Sequence, residues 1–391
     1  MEHIIHLSIL DSKNIMKKIK LKDKIVFFVF FSFLILPNFL WFFLEPNADK
    51  RNIENRVLKS FPKLNILTVK QFPKDFEGFY SDNLPFRNYF IKFYSFLQYS
   101  IFREVESERV IFAKDGWMFY KNVNDGDPIP TYKKVDSFSN SELKDSVNSL
   151  MALKKYCEDR NCKFLLFIAP NKENIYSEYM PDSIKRTNGM SRTEQLIWYL
   201  KNNTDIEIVF PEEFLKNKKK EKYITYYKYD THWNSYGGFC SASFLLEKLN
   251  RPLVNKNFVV IHDTDSNGKT AEIGKGYDLA KLVGMQDFLK EPYKFEVSQY
   301  ENYPVSGGMA PANEISRYSC NGIKDGKLFM IRDSFGEAMA PVLASGFRNS
   351  SVMLYYYFNK ALIDIEKPDI FVYEVAERYL PRVSKDEFDK K

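Results

Sequence analysis

The fold is decided by residues 327–343, which read KLFMIRDSFGEAMAPVL. The apolar run from Lys327 to Ile331 predicts a β-strand, and Glu337 to Leu343 has the pattern of a helix. Ser334 lies at the turn between them. A serine at a strand-to-helix turn is lifted out of the sheet and sits against backbone N–H groups that can stabilise an oxyanion. This stretch therefore predicts a strand of an α/β sheet with a candidate nucleophile at its carboxyl end.

Strand and helix patterns alternate through much of the remaining chain. Short apolar runs predict further strands at Phe164 to Ile168, Ile206 to Phe210, Val352 to Tyr356 and Ile370 to Val375. Helical patterns lie at Ser139 to Lys155, Glu194 to Leu200 and Gly238 to Leu249. Short apolar strands separated by helices are typical of a parallel sheet covered by helices. The predicted fold class is therefore one α/β domain with a central, mainly parallel sheet.

The N-terminal residues predict a membrane anchor. Lysines at positions 17, 18, 20, 22 and 24 precede Ile25 to Leu44, which carries no charge. Twenty residues, at about 1.5 Å each in a helix, just span the hydrocarbon of a bilayer. The lysines place the N-terminal end in the cytoplasm, so everything after Glu45 should lie outside. The alternative is a cleaved signal peptide, which would have a shorter apolar region, and Glu45-Pro46-Asn47 offers no small-residue cleavage site.

The sequence predicts four parts. They are a basic cytoplasmic N-terminus (1–24), a transmembrane anchor (25–44), a linker with amphipathic helices (45–108) and a catalytic domain (109–391). Within the linker, apolar residues from Phe72 to Phe102 recur at helical spacing and are interrupted at Pro85, which predicts two helices. Two apolar runs around Asp115-Gly116 predict a β-hairpin at the start of the catalytic domain.

Composition argues against several classes of protein. Lys and Arg total 57 and Asp and Glu total 51, and part of the resulting charge of +6 sits in the N-terminal block, so nucleic-acid binding is not supported. Four cysteines without C-x-x-C spacing and only four histidines supply a zinc site poorly. We therefore expect no metal and no cofactor. Cys157 and Cys162 are the nearest cysteine pair, but the sequence selects no disulfide.

A second polar segment, Tyr229-Asp230-Thr231-His232-Trp233-Asn234, precedes a helical pattern that starts near Tyr236. In an extended segment, Asp230 and His232 project to the same side, so that the carboxylate can hold the imidazole. A serine nucleophile needs a base, which is usually histidine near neutral pH. The segment therefore offers a base and a residue to orient it.

The other histidines fit this role less well. His3 and His6 precede the predicted anchor, and His262 lies in a polar segment, residues 262–268, that we expect to be a solvated loop. His232 is therefore the candidate base for Ser334, with Asp230 orienting it.

Each of these residues also has a simpler interpretation. Ser334 and Glu337 have the spacing of a capping box, in which the serine hydroxyl only caps a helix. An isolated Asp-x-His is often a satisfied polar pair, and tryptophans such as Trp233 most often pack in a core. The catalytic interpretation depends on the two segments coming together.

The two segments resemble those of a known family. Asp230-Thr231-His232-Trp233 with Asn234 and Gly237, followed by Arg332-Asp333-Ser334-Phe335, is similar to the alginate O-acetyltransferase relatives of the SGNH hydrolases, which include the DHHW proteins. The further matches run in family order from about residue 54 to 380: Glu54-Asn55-Arg56, Phe61-Pro62, Pro85-Phe86-Arg87, Lys114-Asp115-Gly116-Trp117, Pro170-Asn171-Lys172, Asp278-Leu279-Ala280 and Glu377-Arg378.

The resemblance implies an SGNH-hydrolase-like three-layer fold and a triad of Ser334, His232 and Asp230. It implies an enzyme of the bacterial cell membrane, single-pass and with its catalytic domain outside, that O-acetylates an exported polysaccharide. A partner of the membrane-bound O-acyltransferase family would deliver the acetyl groups. Two alternatives stay open: a polysaccharide deacetylase or esterase with the same triad, and a non-catalytic assembly protein.

The oxyanion donors depart from the simple SGNH pattern. Arg332 stands where simple SGNH hydrolases have glycine, and their Gly-x-Asn-Asp block has no counterpart here. The candidates for oxyanion stabilisation or substrate binding are Asn171, Arg332 and Trp233. For Asn171, the sequence favours the simpler interpretation, an ordinary turn residue after Pro170.

Overall fold

The structure, a computed structural model, describes residues 21–44, 57–64, 69–103, 105, 107–253, 259–263, 277–297 and 305–385. The chain forms two compact units, Met1–Leu97 and Gln98–Lys391. Helix α1 (Leu21–Leu44) is long and apolar enough to cross a bilayer and covers the predicted anchor. The two helices predicted around Pro85 are α2 (Phe72–Asp82) and α3 (Arg87–Phe102).

The larger unit contains the predicted alternation of strands and helices. Its strands are β1 (Val110–Phe112), β2 (Met118–Tyr120), β3 (Lys163–Ala169), β4 (Glu207–Val209), β5 (Val259–Asp263), β6 (Tyr293–Val297), β7 (Val305–Gly307), β8 (Ser316–Cys320), β9 (Lys327–Arg332), β10 (Asn349–Leu354) and β11 (Ile370–Ala376). Its helices are α4 (Pro128–Lys133), α5 (Asn140–Glu158), α6 (Lys172–Ile175), α7 (Arg192–Asn203), α8 (Glu212–Lys218), α9 (Ser235–Lys248), α10 (Asp278–Leu282), α11 (Gly336–Ala344) and α12 (Ala361–Glu366). A 3₁₀ segment, Glu377–Lys385, follows β11.

Seven strands form the central sheet in the order β4-β3-β11-β9-β10-β8-β7. The first five are parallel, and β8 and β7 add an antiparallel edge. This confirms the predicted mainly parallel sheet. The strands β7 and β8 were not predicted because they are short and polar, so no apolar run marks them.

The sheet is buried on both faces, which explains why its strands read as continuous apolar runs. Along β9, Met330 packs on one face with α9 and α11, whereas Phe329 and Ile331 pack on the other with α5, α7 and α12. Successive residues of a strand point to opposite faces, so both faces need apolar side chains. The result is a three-layer α/β arrangement.

Local sequence signals fix several boundaries. The capping box Ser139–Glu142 starts α5, and Ser191–Glu194 starts α7 in the same way. The hairpin between β1 and β2 turns at Asp115 and Gly116, both of which have positive φ (53° and 72°). Asp and Gly tolerate this left-handed conformation, as the hairpin prediction required.

The structure bears on two expectations from the sequence, one for His262 and one for the cysteines. His262 lies in β5, which pairs antiparallel with β6, so the loop prediction is wrong at this residue. The apolar run Val259-Val260-Ile261 before it favours a strand, and residues 264–276 lie outside the described residues, as do His3 and His6. All four cysteines are buried, and none of them forms a disulfide.

Candidate active site

The carboxyl ends of the central strands meet at one edge of the sheet, where Ser334 lies just beyond β9. The turn that carries it is fixed by Asp333. The Asp333 carboxylate accepts hydrogen bonds from the backbone N–H groups of Phe335 (2.8 Å) and Ala376 (2.7 Å). The second of these bonds ties the turn to the end of β11. The serine is therefore held by the sheet itself.

Helix α11 begins immediately after this turn, at Gly336. A Cβ atom at this glycine would lie 2.6 Å from Cβ of Arg332, so only glycine allows the helix to start so close to the strand. Phe335 occupies the N-cap position and makes no side-chain cap. The capping alternative for Ser334 is therefore wrong, because its hydroxyl points to a different partner.

That partner is His232. Its Nε2 lies 2.8 Å from Oγ of Ser334, and its Nδ1 lies 2.7 Å from Oδ1 of Asp230. An ionised carboxylate only accepts hydrogen bonds, so Nδ1 carries the hydrogen and Nε2 is free to accept the serine proton. Ser334 is exposed and the His232 side chain is 29% exposed, whereas Asp230 is buried. A substrate can reach the candidate nucleophile and the candidate base, while the Asp230 carboxylate is shielded.

Backbone groups surround the Asp230 carboxylate. Besides the imidazole, it accepts the N–H groups of His232 and Asp278, both at 3.0 Å. Burial alone would raise the pKa of Asp230, but its hydrogen bonds and the adjacent imidazole outweigh burial and lower this pKa well below its usual range. Burial also disfavours the imidazolium of His232, yet the Asp230 hydrogen bond and charge dominate and raise the pKa of His232.

The buried Lys172 holds in place the segment that carries Asp230 and His232. Nζ of Lys172 donates to three backbone carbonyls, those of Met118 (2.7 Å), Lys228 (2.9 Å) and Asp230 (2.9 Å). The Glu291 carboxylate accepts the N–H groups of the two residues before Asp230, Lys228 and Tyr229. The segment has no regular secondary structure beyond one bridge between Tyr226 and Trp233, so these side chains take the place of a strand partner.

Sequence reasoning missed the role of Asp278. Its carboxylate accepts the Thr231 N–H and hydroxyl, and its Oδ2 lies 3.5 Å from Nδ1 of His232. Burial and the nearby Asp230 charge raise the pKa of Asp278, although its side chain is 38% exposed and solvent moderates the shift. Asp278 follows Asp230 by 48 residues, and its only sequence signal was the family motif that contains it.

Asp230, His232 and Asp278 have donor atoms within 4.8 Å of one another, which raises the question of a metal. The hydrogen bonds argue against one. Both oxygens of Asp230 and Nδ1 of His232 are already used in hydrogen bonds to each other or to backbone N–H groups. This pattern orients an imidazole and leaves no free set of ligand atoms.

The three candidates for oxyanion stabilisation or substrate binding are all buried but make different contacts. Trp233 is buried (2% exposed), and its Nε1 donates to the Phe335 carbonyl at 3.0 Å, so it braces the two segments from the core and cannot bind substrate. Arg332 is buried and donates to the Asp333 carbonyl and the Met309 sulfur. Asn171 is also buried, and its Oδ1 accepts the Arg378 N–H. Its Nδ2 has no hydrogen-bond partner among the described residues.

Arg378 is a further charged group beside the site. Its guanidinium lies 5.3 Å from the ring centre of Phe335, and that ring is 4.9 Å from the His232 ring. Arg378 is buried, and within the described part of the chain its Nε has no hydrogen-bond partner. Its positive charge opposes protonation of His232.

Comparison with known proteins identifies the family. The family model for the SGNH hydrolase-like domain of the acetyltransferase AlgX matches residues 110–310, more than half of the chain. The chain belongs to this family. The match confirms the resemblance noted from the sequence. It includes Asp230 and His232 and ends before Ser334, so the serine enters the site on structural grounds.

Several solved structures are similar to this AlgX-family chain, and the first of them shows the same fold. A DHHW family protein from Eubacterium siraeum is 13% identical, with a TM-score of 0.51 over 73% of this chain and 98% of that one. PatB1 from Bacillus cereus is 14% identical, with a TM-score of 0.49 over 72% and 100%. The O-acetyltransferase domain of Pseudomonas putida AlgJ is 14% identical, with a TM-score of 0.43 over 70% and 92%. No curated protein matches the sequence.

Proposed function

We propose that the protein is a membrane-anchored O-acetyltransferase that acts outside the cytoplasm on an exported polysaccharide through an acetyl-serine intermediate. The observation that carries this proposal is the continuous hydrogen-bonded line from Asp230 through His232 to Ser334, with distances of 2.7 and 2.8 Å. Membership in an acetyltransferase family supports the acetyl group. The apolar helix α1, with lysines before it, supports the anchor and the outward orientation.

The first half of the reaction forms the intermediate. Oγ of Ser334 attacks the acetyl carbonyl while Nε2 of His232 takes the hydroxyl proton, and the Asp230 carboxylate stabilises the imidazolium. When the tetrahedral species collapses, the bond to the leaving group breaks and the imidazolium returns the proton to it. An acetyl ester of Ser334 remains. The partner that supplies the acetyl group would be a membrane-bound O-acyltransferase.

The second half transfers the acetyl group. A hydroxyl of the polysaccharide attacks the ester carbonyl, and Nε2 of His232 takes the hydroxyl proton. The bond between the acetyl carbon and Oγ then breaks, and the proton returns to Ser334. Nothing in this cycle requires a cofactor, and its products are the acetylated polymer and the free enzyme. If water attacks instead, the same residues carry out hydrolysis, which is the esterase alternative.

The tetrahedral species needs donors for its oxyanion. The Ser334 N–H makes no hydrogen bond to any described residue. The buried Nδ2 of Asn171 likewise has no partner among the described residues, and it lies at the same edge of the sheet, since Asn171 comes two residues after the end of β3. We assign these two groups as the oxyanion donors. Asn171→Ala should then lower turnover by roughly 10²- to 10³-fold. A variant within a few-fold of the parent would leave Asn171 as a turn residue only.

The experiment that tests the function separates transfer from hydrolysis. Purified full-length protein is incubated with p-nitrophenyl acetate and a panel of neutral and acidic oligosaccharides, and acetylated sugar and free acetate are both measured. We expect acetylated sugar with a suitable acceptor and little acetate without one. Acetate release that no acceptor redirects would favour the esterase, and no turnover of the ester would favour the non-catalytic alternative. Analysis of surface polysaccharide with and without the gene would identify the polymer.

A further inference from the structure

Helix α3 (Arg87–Phe102) carries its apolar residues on its exposed side. Tyr89, Phe93 and Leu97 are four residues apart, so they lie along one stripe of the helix. They are 48%, 60% and 39% exposed, and the neighbouring Phe90 is 37% exposed. The buried residue of this helix is instead the polar Ser95, at 3%. A helix on the surface of a water-soluble domain has the opposite arrangement.

Helix α2 (Phe72–Asp82) shows the same inversion. Its buried residue is Asp82, whose carboxylate accepts the backbone N–H of Lys59. Phe76 and Tyr80 are 39% and 40% exposed, and their rings stack along the helix surface. Two consecutive helices therefore turn a polar residue inward and aromatic residues outward. Exposed apolar side chains on two consecutive helices mark a site that is covered by something apolar.

A hydrogen bond within the smaller unit indicates what covers it. Nδ2 of Asn38 in α1 donates to the hydroxyl of Tyr80 in α2, at 2.9 Å. Asn38 lies two residues before Leu40, the end of the stretch of α1 that is apolar enough to cross a bilayer, which is about 3 Å along a helix axis. If α1 spans a bilayer, this level is close to the outer boundary of the hydrocarbon. A polar side chain at that depth needs a protein partner, and Tyr80 supplies it.

We propose that α2 and α3 lie in the headgroup region of the outer leaflet, with the exposed stripe of Tyr89, Phe93 and Leu97 turned into the lipid. The proposal rests on the outward orientation given under the proposed function. Tyrosine and phenylalanine are the residues expected at this level, because their rings are apolar and the tyrosine hydroxyl reaches water. The bilayer is favoured over a protein partner because the Asn38–Tyr80 contact fixes the depth of α2 beside α1.

The test uses the full-length protein in liposomes of phosphatidylcholine and phosphatidylglycerol. An environment-sensitive fluorophore is attached to a cysteine introduced by Phe93→Cys, and the four native cysteines are buried and protected from labelling. Val123→Cys, at an 87% exposed position of the catalytic domain, is the matched control. Lipids that carry a quencher at a shallow acyl position report contact with the membrane, and aqueous iodide reports contact with water.

We expect the Phe93→Cys probe to be quenched by the lipid quencher and protected from iodide, and the Val123→Cys probe to behave in the opposite way. Equal iodide quenching of both probes, without quenching by lipid, would overturn the proposal and leave the stripe for a protein partner. A probe at Phe33→Cys, in the middle of α1, reports the anchor separately. If that probe is deep in lipid while the Phe93→Cys probe is in water, the surface proposal fails and the proposed topology survives.

Discussion

The two segments that meet in the active site are held in different ways. The Ser334 turn is fixed by the sheet, because the Asp333 carboxylate binds backbone N–H groups at the ends of neighbouring elements. The Asp230–His232 segment has no strand to support it and depends on side chains from elsewhere, chiefly Lys172, Asp278 and Glu291. The proposed nucleophile is therefore held by the sheet, whereas the proposed base is held by a polar network. Substitutions in the two segments should therefore differ in their effects on stability and turnover.

The largest effect is expected at the nucleophile. Ser334→Ala should lower turnover of an acetyl ester by roughly 10⁴- to 10⁶-fold. The free energy of unfolding should change by no more than about 0.5 kcal/mol, because the hydroxyl is exposed and caps no helix. Ser345→Ala, at the other end of α11, is the matched control, since its hydroxyl donates to the Val342 carbonyl within the same helix end. A fully active Ser334→Ala variant would exclude Ser334 as the nucleophile.

The two aspartates provide the sharpest contrast between the segments. Asp230→Asn should lower turnover by roughly 10³- to 10⁴-fold with little change in KM, because an amide can donate to Nδ1 of His232 and so favours the wrong tautomer. Asp333→Asn instead directs an N–H donor at another N–H in the turn and should cost about 1–3 kcal/mol of stability. Its folded fraction should keep more activity than Asp230→Asn. Ester turnover and thermal melting of both variants decide this, and the reverse order would contradict it.

The same reasoning predicts strong coupling within the triad. His232→Ala should be about as damaging as Asp230→Asn, and the double variant should be little worse than either, because the groups act as a unit. The measurement is a double-mutant cycle on ester turnover, with folding checked for each variant. Additive losses would show that Asp230 and His232 act independently.

A smaller effect is expected where the polar network holds the loop. Lys172→Met leaves three buried carbonyls without a donor, so we expect a loss of about 3 kcal/mol of stability and roughly a 10- to 100-fold loss of turnover through misplacement of His232. Lys154→Met is the matched control, because Lys154 is also buried but pairs with Glu158 and with Asp205, which precedes β4 at the amino ends of the strands. It should leave turnover unchanged. Equal activity losses in both variants would mean that Lys172 only stabilises the fold.

The smallest effect is on the pH dependence. His232 must be neutral to act as a base, and Asp230 raises its pKa above the ordinary 6.5, so kcat/KM should rise with pH through an apparent pKa above 6.5. Asp278→Asn removes a negative charge that favours the imidazolium, so the rise of kcat/KM should move to lower pH. Arg378→Met removes a positive charge and should move it to higher pH, while Arg378→Lys should not. Shifts in the same direction for Asp278→Asn and Arg378→Met would contradict this electrostatic account.

The difference between the segments also explains what could be predicted from the sequence. The Ser334 turn follows a strand and precedes a helix, so periodicity alone located it, and the parallel sheet followed from similar runs such as Phe164 to Ile168. The partners of the Asp230 segment could not be located in this way. Lys172 and Asp278 lie 58 and 48 residues from Asp230, and no local pattern indicates that a lysine will bond three carbonyls. Trp233 is buried in the core, as the simpler of its two interpretations predicts.

The central claim is that Ser334 carries the acetyl group between donor and acceptor. Intact-mass analysis after rapid acid quenching of the full-length protein with p-nitrophenyl acetate, without acceptor, tests it most directly. We predict the mass of one added acetyl group, located by peptide mapping on Ser334 and lost when an acceptor oligosaccharide is present. The Ser334→Ala variant should show no addition. An acetyl group on another residue, or ester turnover that persists without Ser334, would contradict the account.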